Sequence, residues 1–245
     1  MSHKNELYSR EIFINETFET VQGEGKLVGV PSLFIRTDRC NLKCQWGDIK
    51  CDAWYSSWEP DGKKQTIGSL VDLYAAYKHN HIVITGGEPM MWDNIKHLIS
   101  ALKSAGRILN REPYITIETN GTFYLHTEAD LLSISPKLAS SVPIKSSHAR
   151  GHNKRRLNYK VLRRLIDTHD YYLKFVVDTK DDMGEIYEIT EELNVPVDNI
   201  YLMPQGIDAK LLQEKAKWIT QICIEEGFRF SPRLHIDIWG NVRGT

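Results

Sequence analysis

Three of the chain's four cysteines, Cys40, Cys44 and Cys51, follow one predicted strand in the spacing C-x3-C-x6-C. Three thiolates from one loop can hold three corners of an iron–sulfur cube, because such clusters are ligated by cysteine sulfur. A structural zinc site normally has four protein ligands. Here the fourth would have to be distant Cys223, which lies in an apolar helical stretch and is predicted to be buried, or one of nine histidines. The residues alone do not distinguish between an iron–sulfur site, a zinc site and unligated thiols.

Two glycine-rich turns could bring backbone close to a ligand. ITGGEP (84–89) directly follows a predicted strand, and its N–H and C=O groups could bind an amine or a carboxylate. TVQGEG (20–25) precedes a strand and projects Gln22 and Glu24, which suit the donor and acceptor edge of a heterocycle. A plain turn is the alternative for each.

Polar residues also follow other predicted strands, in IETNG (117–121) and ISPK (134–137). The C-terminal stretch LHIDIWGNVRGT (234–245) carries His235 on a predicted strand, and the Thr245 carboxylate could reach a site. A lone histidine on a strand is more often structural.

The elements that would position these residues are predicted to form an α/β fold. Short β-rich runs alternate with apolar residues at helical spacing, which predicts a mostly parallel sheet with its chemistry at the C-terminal strand ends. The candidate strands are SLFIRT (32–37), HIVIT (81–85), YITIET (114–119), LLSIS (131–135), YYLKFVVD (171–178), NIYLM (199–203) and RLHIDIW (233–239). Residues 138–156 are predicted to be a long surface loop leading into a basic amphipathic helix.

Composition narrows the class of protein. The 245 residues are 41% hydrophobic, enough for one large core, and we expect a single domain over 1–245. The formal net charge of −1 argues against a stable nucleic-acid or anionic-membrane partner. No membrane-length apolar run or secretory signal is visible, so a cytoplasmic location is expected. In that reducing compartment clustered cysteines favour metal binding or catalysis.

In this order, TVQGEG, FIR, the three-cysteine loop, TGGEP, ETNG, SPK and LHxxxWGNxRG resemble radical S-adenosylmethionine (SAM) enzymes, and more narrowly the QueE family of 7-deazapurine biosynthesis, from about residue 14 onward. The resemblance implies a partial, open (βα) barrel and a homodimer. It also implies a lyase that converts 6-carboxy-5,6,7,8-tetrahydropterin into 7-carboxy-7-deazaguanine and ammonia. A 5′-deoxyadenosyl radical derived from SAM would start the reaction by taking hydrogen from C6.

The resemblance implies a [4Fe-4S] cluster in the loop 38–62, but the usual spacing C-x3-C-x2-C places Gly47 where the third ligand is expected. Either that ligand is missing, or GDIK (47–50) is an insertion and Cys51 is the ligand. We choose the insertion, since CDAWYSSW then follows the family pattern Cys-Asp-Thr-x-Tyr-x-x-Trp.

This alignment leaves Ala53 where the family has a threonine that helps to hold Mg²⁺. Asp52, Ser56 or Ser57 could compensate, with water completing the octahedral shell that Mg²⁺ prefers.

The resemblance implies further roles residue by residue. Substrate contacts are expected at Val21, Gln22, Gly23, Glu24, Arg36, Thr85 and Thr245. SAM contacts are expected at Gly87, Glu88, Ser135, Pro136, Lys137, Met203, Gln205 and Gly206. Glu118 and His235 are the candidates for proton transfer, and the segment 229–245 is expected to cap the substrate.

Competing interpretations are another radical SAM enzyme, such as a glycyl-radical activase, and a zinc-structured nucleic-acid-binding module that uses the basic run 148–164 as its phosphate contact. The same run could instead be a solvated helix face, or a docking patch for an acidic electron donor such as flavodoxin.

Overall fold

The computed structural model describes residues 3–245 and contains a nine-stranded sheet, a small two-stranded hairpin and nine α-helices in that range. The strands are β1 Glu11–Val21, β2 Pro31–Thr37, β3 Gln45–Trp46, β4 Ile49–Lys50, β5 Lys63–Thr66, β6 His81–Gly86, β7 Tyr114–Thr119, β8 Leu131–Ile134, β9 Tyr171–Val177, β10 Ile200–Pro204 and β11 Arg229–Phe230. The helices are α1 His3–Tyr8, α2 Trp54–Ser57, α3 Ile67–Ala76, α4 Asn94–Ile108, α5 Ala149–Arg155, α6 Tyr159–Thr168, α7 Asp182–Leu193, α8 Ala209–Glu226 and α9 Leu234–Trp239.

The large sheet has the strand order β11-β10-β9-β8-β7-β6-β2-β1-β5. In this order each neighbouring pair from β11 to β2 is parallel, whereas β1 pairs antiparallel with both β2 and β5. Because β11 and β5 end the order, the sheet is open rather than a closed barrel. The C-terminal ends of seven parallel strands therefore share one edge, where a βα fold places its site.

The central strands are buried along most of their length and rich in apolar residues, because they are covered on both faces. Ile82, Val83 and Ile84 of β6 are completely buried. Helix α4 packs its buried apolar stripe, from Ile95 to Ala105, against the same core, and these residues recur at helical spacing. Six of the seven predicted strands are confirmed to within one residue at each end.

The seventh predicted strand, RLHIDIW (233–239), is wrong. Its alternating apolar residues form helix α9, in which Ile236 is buried while Ile238 is 53% exposed. Alternation over so short a stretch did not distinguish a strand from a helical turn with one buried residue.

The predicted long loop at 138–156 is also partly wrong. It contains a short helical turn, Ala139–Ser141, and helix α5, before the basic helix α6 begins at Tyr159. His152 of α5 is completely buried, so this segment is packed onto the core. Cys223 is buried in α8 as predicted. No helix within residues 3–245 is long and apolar enough to span a membrane.

Candidate active site

One cavity at the C-terminal edge of the sheet gathers almost all the residues singled out from the sequence. Its empty space is about 1320 Å³, including open solvent at its mouth. The predicted residues that line it are Val21, Gln22, Gly23, Glu24, Arg36, Cys40, Cys44, Cys51, Asp52, Thr85, Gly87, Glu118, Ser135, Lys137, Met203, Gln205, Gly206, His235 and Thr245. Glu88 and Pro136 do not line it.

The residues between Cys44 and Cys51 form the β3–β4 hairpin. Gly47 supplies its turn with φ of 57° and lies exposed at the tip, away from the cavity. The hairpin returns the chain so that the Cys51 N–H donates to the Cys44 carbonyl at 3.0 Å. The longer spacing therefore brings Cys51, and not residue 47, to the cavity.

The three thiols lie in a largely apolar corner with buried Leu42 and Trp46. Burial raises the pKa of Cys40 to about 12 and that of Cys44 to about 11. The pKa of Cys51 is also raised, mainly by burial and to a smaller extent by the negative charge of Asp52. Three ionised thiolates here require compensating positive charge, as a metal provides.

The three cysteine thiols are the candidate donors for a metal or an iron–sulfur cluster. Across the described chain, no three His, Cys, Asp or Glu side chains stand close enough together to hold a single metal ion. Three free thiols line one cavity wall, and cysteine sulfur is the ligand that iron–sulfur clusters use.

The TGGEP turn packs directly on the backbone that leads into the cysteine loop. The Gly87 N–H donates to the Thr37 carbonyl at 3.1 Å, and the Glu88 N–H donates to the Arg39 carbonyl at 2.9 Å. A methyl group on Gly87 would overlap the Arg39 carbonyl. The second glycine of this motif is thus required by close backbone approach.

We expect Gly87→Ala to lower the free energy of unfolding by about 1–3 kcal/mol, because the methyl group must displace backbone rather than a side chain. Gly184→Ala is the matched control, since this exposed helical glycine has nothing within 4 Å of its Cβ position. The control should raise that free energy by about 0.5–1 kcal/mol. Chemical denaturation of both variants checks the pair, and equal effects would contradict the packing described.

Glu88 lies completely buried behind the cavity wall. Its carboxylate accepts hydrogen bonds from the Met90 N–H at 2.9 Å, the Thr119 hydroxyl at 2.7 Å and the Asn120 N–H at 2.7 Å. Thr119 and Asn120 do line the cavity, and Asn120 Nδ2 lies 3.8 Å from Cys40 Sγ. Glu88 therefore holds the ETNG turn in position and does not itself reach the cavity.

Glu118 is the centre of a smaller hydrogen-bonded unit. Its carboxylate accepts from Gln22 Nε2 at 3.1 Å and from the Thr85 hydroxyl at 2.7 Å. The unit joins the ends of β1, β6 and β7, so the QGEG turn and the TGGEP strand present their polar groups to the same space.

Two buried cations in the cavity wall were missed from the sequence. Lys174 lies in the middle of β9 and pairs with one oxygen of Glu24, while Arg233 Nε donates to the other at 3.1 Å. Both cationic side chains are about 95% buried. The only sequence signal for Lys174 was a single charge inside an otherwise apolar strand, and Arg233 lay in the mispredicted seventh strand.

These partners control the ionisation of Glu24. Burial alone would raise the pKa of Glu24, but the positive charges of Lys174 and Arg233 outweigh it and lower the pKa from 4.5 to about 2. Glu24 is therefore a carboxylate at neutral pH.

Because the pKa of Glu24 is lower in the folded than in the unfolded chain, its pairing stabilises the fold above pH 4.5. That stabilisation is lost as pH falls from about 4.5 to 2. We expect it to amount to about 3 kcal/mol, and Glu24→Gln to remove this part of the acid dependence. Chemical denaturation of both proteins across that interval measures the free energy of unfolding at each pH. The same pH dependence in both proteins would contradict the prediction.

Arg36 and His235 lie at the same cavity. Arg36 Nε donates to Glu16 at 2.8 Å, and its guanidinium lies 5.6 Å from the Phe18 ring and 5.8 Å from the Tyr55 ring. His235 packs on Gly23, and burial lowers its pKa although Glu24, 4.0 Å away, opposes the shift. The site thus combines a fixed guanidinium with an imidazole that is neutral at pH 7.

Comparison with known protein sequences identifies the family to which the chain belongs. The sequence model of the radical SAM superfamily matches residues 34–209. A 7-carboxy-7-deazaguanine synthase of Rhodopirellula baltica is 42% identical over 96% of this chain and 89% of its own length. The synthase of Halobacterium salinarum is 36% identical over 95% and 92%.

A solved structure supports the fold. QueE from Escherichia coli superposes with a TM-score of 0.67 at 23% identity, covering 96% of this chain and 99% of that one. The chain therefore belongs to the radical SAM superfamily and, within it, to the 7-carboxy-7-deazaguanine synthase family.

Proposed function

We propose that this chain converts 6-carboxy-5,6,7,8-tetrahydropterin into 7-carboxy-7-deazaguanine with release of ammonia, as its named relatives indicate. The observation that carries the proposal is that one cavity is lined at once by three free thiols and by polar groups suited to a carboxylated heterocycle. An activase for another protein would need no such heterocycle site.

Cys40, Cys44 and Cys51 are the proposed ligands of the [4Fe-4S] cluster. The hairpin that places Cys51 beside Cys44 supports this choice over an alignment through Gly47. When bound, the cluster and SAM supply the one-electron chemistry that removes hydrogen from the pterin.

The proposed SAM contacts are the cavity-lining residues Gly87, Ser135, Lys137, Met203, Gln205 and Gly206. Lys137 Nζ donates to the Ser135 hydroxyl at 2.7 Å, so this cation is oriented along the wall. Glu88 and Pro136 act only through their neighbours in this proposal, since neither lines the cavity.

The proposed pterin pocket is formed by Arg36, Thr85 and the turn Val21–Glu24. Within the described residues, only Nε of Arg36 is hydrogen-bonded, so its two Nη atoms are available to a substrate carboxylate. Gln22 and Glu24 offer an amide and a carboxylate to the edge of the ring. Glu118 and His235 are proposed to hold or move protons beside that ring.

The segment 229–245 is proposed to cap the substrate within a single domain. Arg243 fixes the segment, since it donates to Glu16 at 2.9 Å and to Asp61 at 3.1 Å and lies 4.1 Å from the Tyr55 ring. Thr245, two residues further on, lines the cavity, which supports a capping role for this segment.

The test is anaerobic turnover of the cluster-loaded enzyme with the carboxytetrahydropterin, SAM and a strong reductant, followed by mass spectrometry. We expect 7-carboxy-7-deazaguanine and ammonia to form in equal amounts. Cleavage of SAM without consumption of the pterin would favour a different radical SAM substrate. No cleavage together with bound zinc would favour the zinc-structured interpretation.

Helices α5 and α6 are proposed as the docking patch for an acidic electron donor such as flavodoxin. Lys154, Arg155 and Lys160 are exposed there. His152 of α5 connects the patch to the cysteine loop, because its Nδ1 accepts from the Lys43 N–H at 3.1 Å.

We expect the flavodoxin-coupled rate to fall several-fold when the ionic strength rises from low salt to about 0.5 M, since salt screens opposite charges. The rate with dithionite is the control and should change little. A flavodoxin-coupled rate that is indifferent to salt would contradict the docking patch.

We also propose that the chain forms a homodimer in the cytoplasm, as the family resemblance implies. The formal net charge of −1 supports the proposal that it has no stable nucleic-acid partner. Sedimentation velocity tests the dimer.

A further inference from the structure

The position where the family has a magnesium-binding threonine is occupied by buried Ala53, which has no side-chain oxygen. The neighbouring hydroxyls are already engaged, since Ser56 Oγ donates to the Ala53 carbonyl at 2.9 Å and Ser57 Oγ donates to it at 3.2 Å. Asp52 Oδ1 accepts from the Ala53 N–H at 2.9 Å. Each of these oxygens therefore already has a hydrogen-bond partner within the loop.

The other oxygen of Asp52 pairs with Nη2 of Arg233. The same guanidinium donates through Nε to Glu24 at 3.1 Å and through Nη1 to the Gly206 carbonyl. Its side chain is 5% exposed. One buried cation thus joins the QGEG turn, the cysteine loop and the end of β10.

The charges around this guanidinium are balanced without a metal ion. Glu24 is shared by Lys174 and Arg233, and Asp52 is paired with Arg233. Mg²⁺ prefers a near-octahedral set of free oxygens. Taking Asp52 and Glu24 together as ligands would remove both carboxylate partners of a buried guanidinium, which is strongly unfavourable. The residues present therefore do not fit Mg²⁺.

We propose that Arg233 supplies the fixed positive charge that the resemblance assigns to Mg²⁺, so that the chain turns over without a divalent cation. The inference rests on the proposed function and concerns the same cavity. It assigns Arg233 a charge-balancing and positioning role between Glu24 and Asp52.

The test compares turnover of cluster-loaded enzyme in buffers freed of divalent cations with turnover in millimolar Mg²⁺, while the absorption spectrum monitors the cluster. We expect kcat/KM to differ by less than about twofold. Mn²⁺, titrated as a spectroscopic substitute, should give no bound-ion electron paramagnetic resonance signal. Activity that falls tenfold or more without Mg²⁺, or a stoichiometric Mn²⁺ site, would overturn the inference. Absence of turnover in both buffers would instead count against the proposed function.

Two variants separate the roles of Ala53 and Arg233. Ala53→Thr restores the oxygen but leaves Asp52 paired, and we expect it to remain indifferent to Mg²⁺. Ala53→Thr combined with Arg233→Met removes the cationic partner of Asp52 and one of the two basic partners of Glu24, and we expect it to bind Mn²⁺. Magnesium stimulation of the single variant, or absence of Mn²⁺ binding in a double variant that retains its iron and melts cooperatively, would contradict the assignment.

Discussion

Cys51→Ala is expected to abolish reductive cleavage of SAM and to reduce the iron content of anaerobically purified protein. The hairpin places Cys51 beside Cys44 on the cavity wall, whereas Gly47 lies at the exposed tip and can offer no donor in its place. With two thiolates remaining, the cluster would lose one of its three proposed cysteine ligands. Iron analysis and quantification of 5′-deoxyadenosine measure both effects.

Cys223→Ala is the matched control for this experiment. It makes the same substitution at a buried cysteine of α8, outside the cavity lining, and should leave iron content and cleavage unchanged. A cluster that survives Cys51→Ala at full occupancy would show that the insertion alignment is wrong.

Glu118→Gln is expected to lower product formation by about 100-fold or more while leaving SAM binding intact. The amide keeps nearly the same shape beside Gln22 and Thr85 but removes the charge and the proton-accepting oxygen. General acid–base groups typically contribute about 100-fold to 10,000-fold. Product and 5′-deoxyadenosine should both be quantified, because loss of product with retained cleavage locates the defect at the pterin.

Thr85→Ser is the control for Glu118→Gln, since it preserves the hydroxyl that donates to this carboxylate. We expect it to retain most of the wild-type rate. A Glu118→Gln enzyme of normal activity would exclude a proton-transfer role for this residue and leave it a positioning residue for Gln22.

The strands and the cavity residues could be predicted because their signals are local. Apolar runs with turn residues at their ends define β6 to β10, and the motifs at those ends meet because parallel strands finish at one edge. Helix α9 could not be predicted in the same way. Its single buried residue, Ile236, gives no helical periodicity.

The charged partners within the cavity depended on contacts between distant parts of the chain. Lys174 is 150 positions from Glu24, and Arg233 is 181 positions from Asp52, so no spacing rule connects them. The position of Glu88 also depended on the fold. Its motif was identified correctly, but only the fold reveals that the carboxylate points to Thr119 and Asn120 and not into the cavity.

The most direct test of the central claim is iron, sulfide and zinc analysis of anaerobically purified wild-type protein together with its absorption spectrum. Three cysteine thiols that hold a cluster predict about four iron and four sulfide per chain, a brown protein, and bleaching by a strong reductant. A colourless protein that contains zinc and no iron would contradict the account.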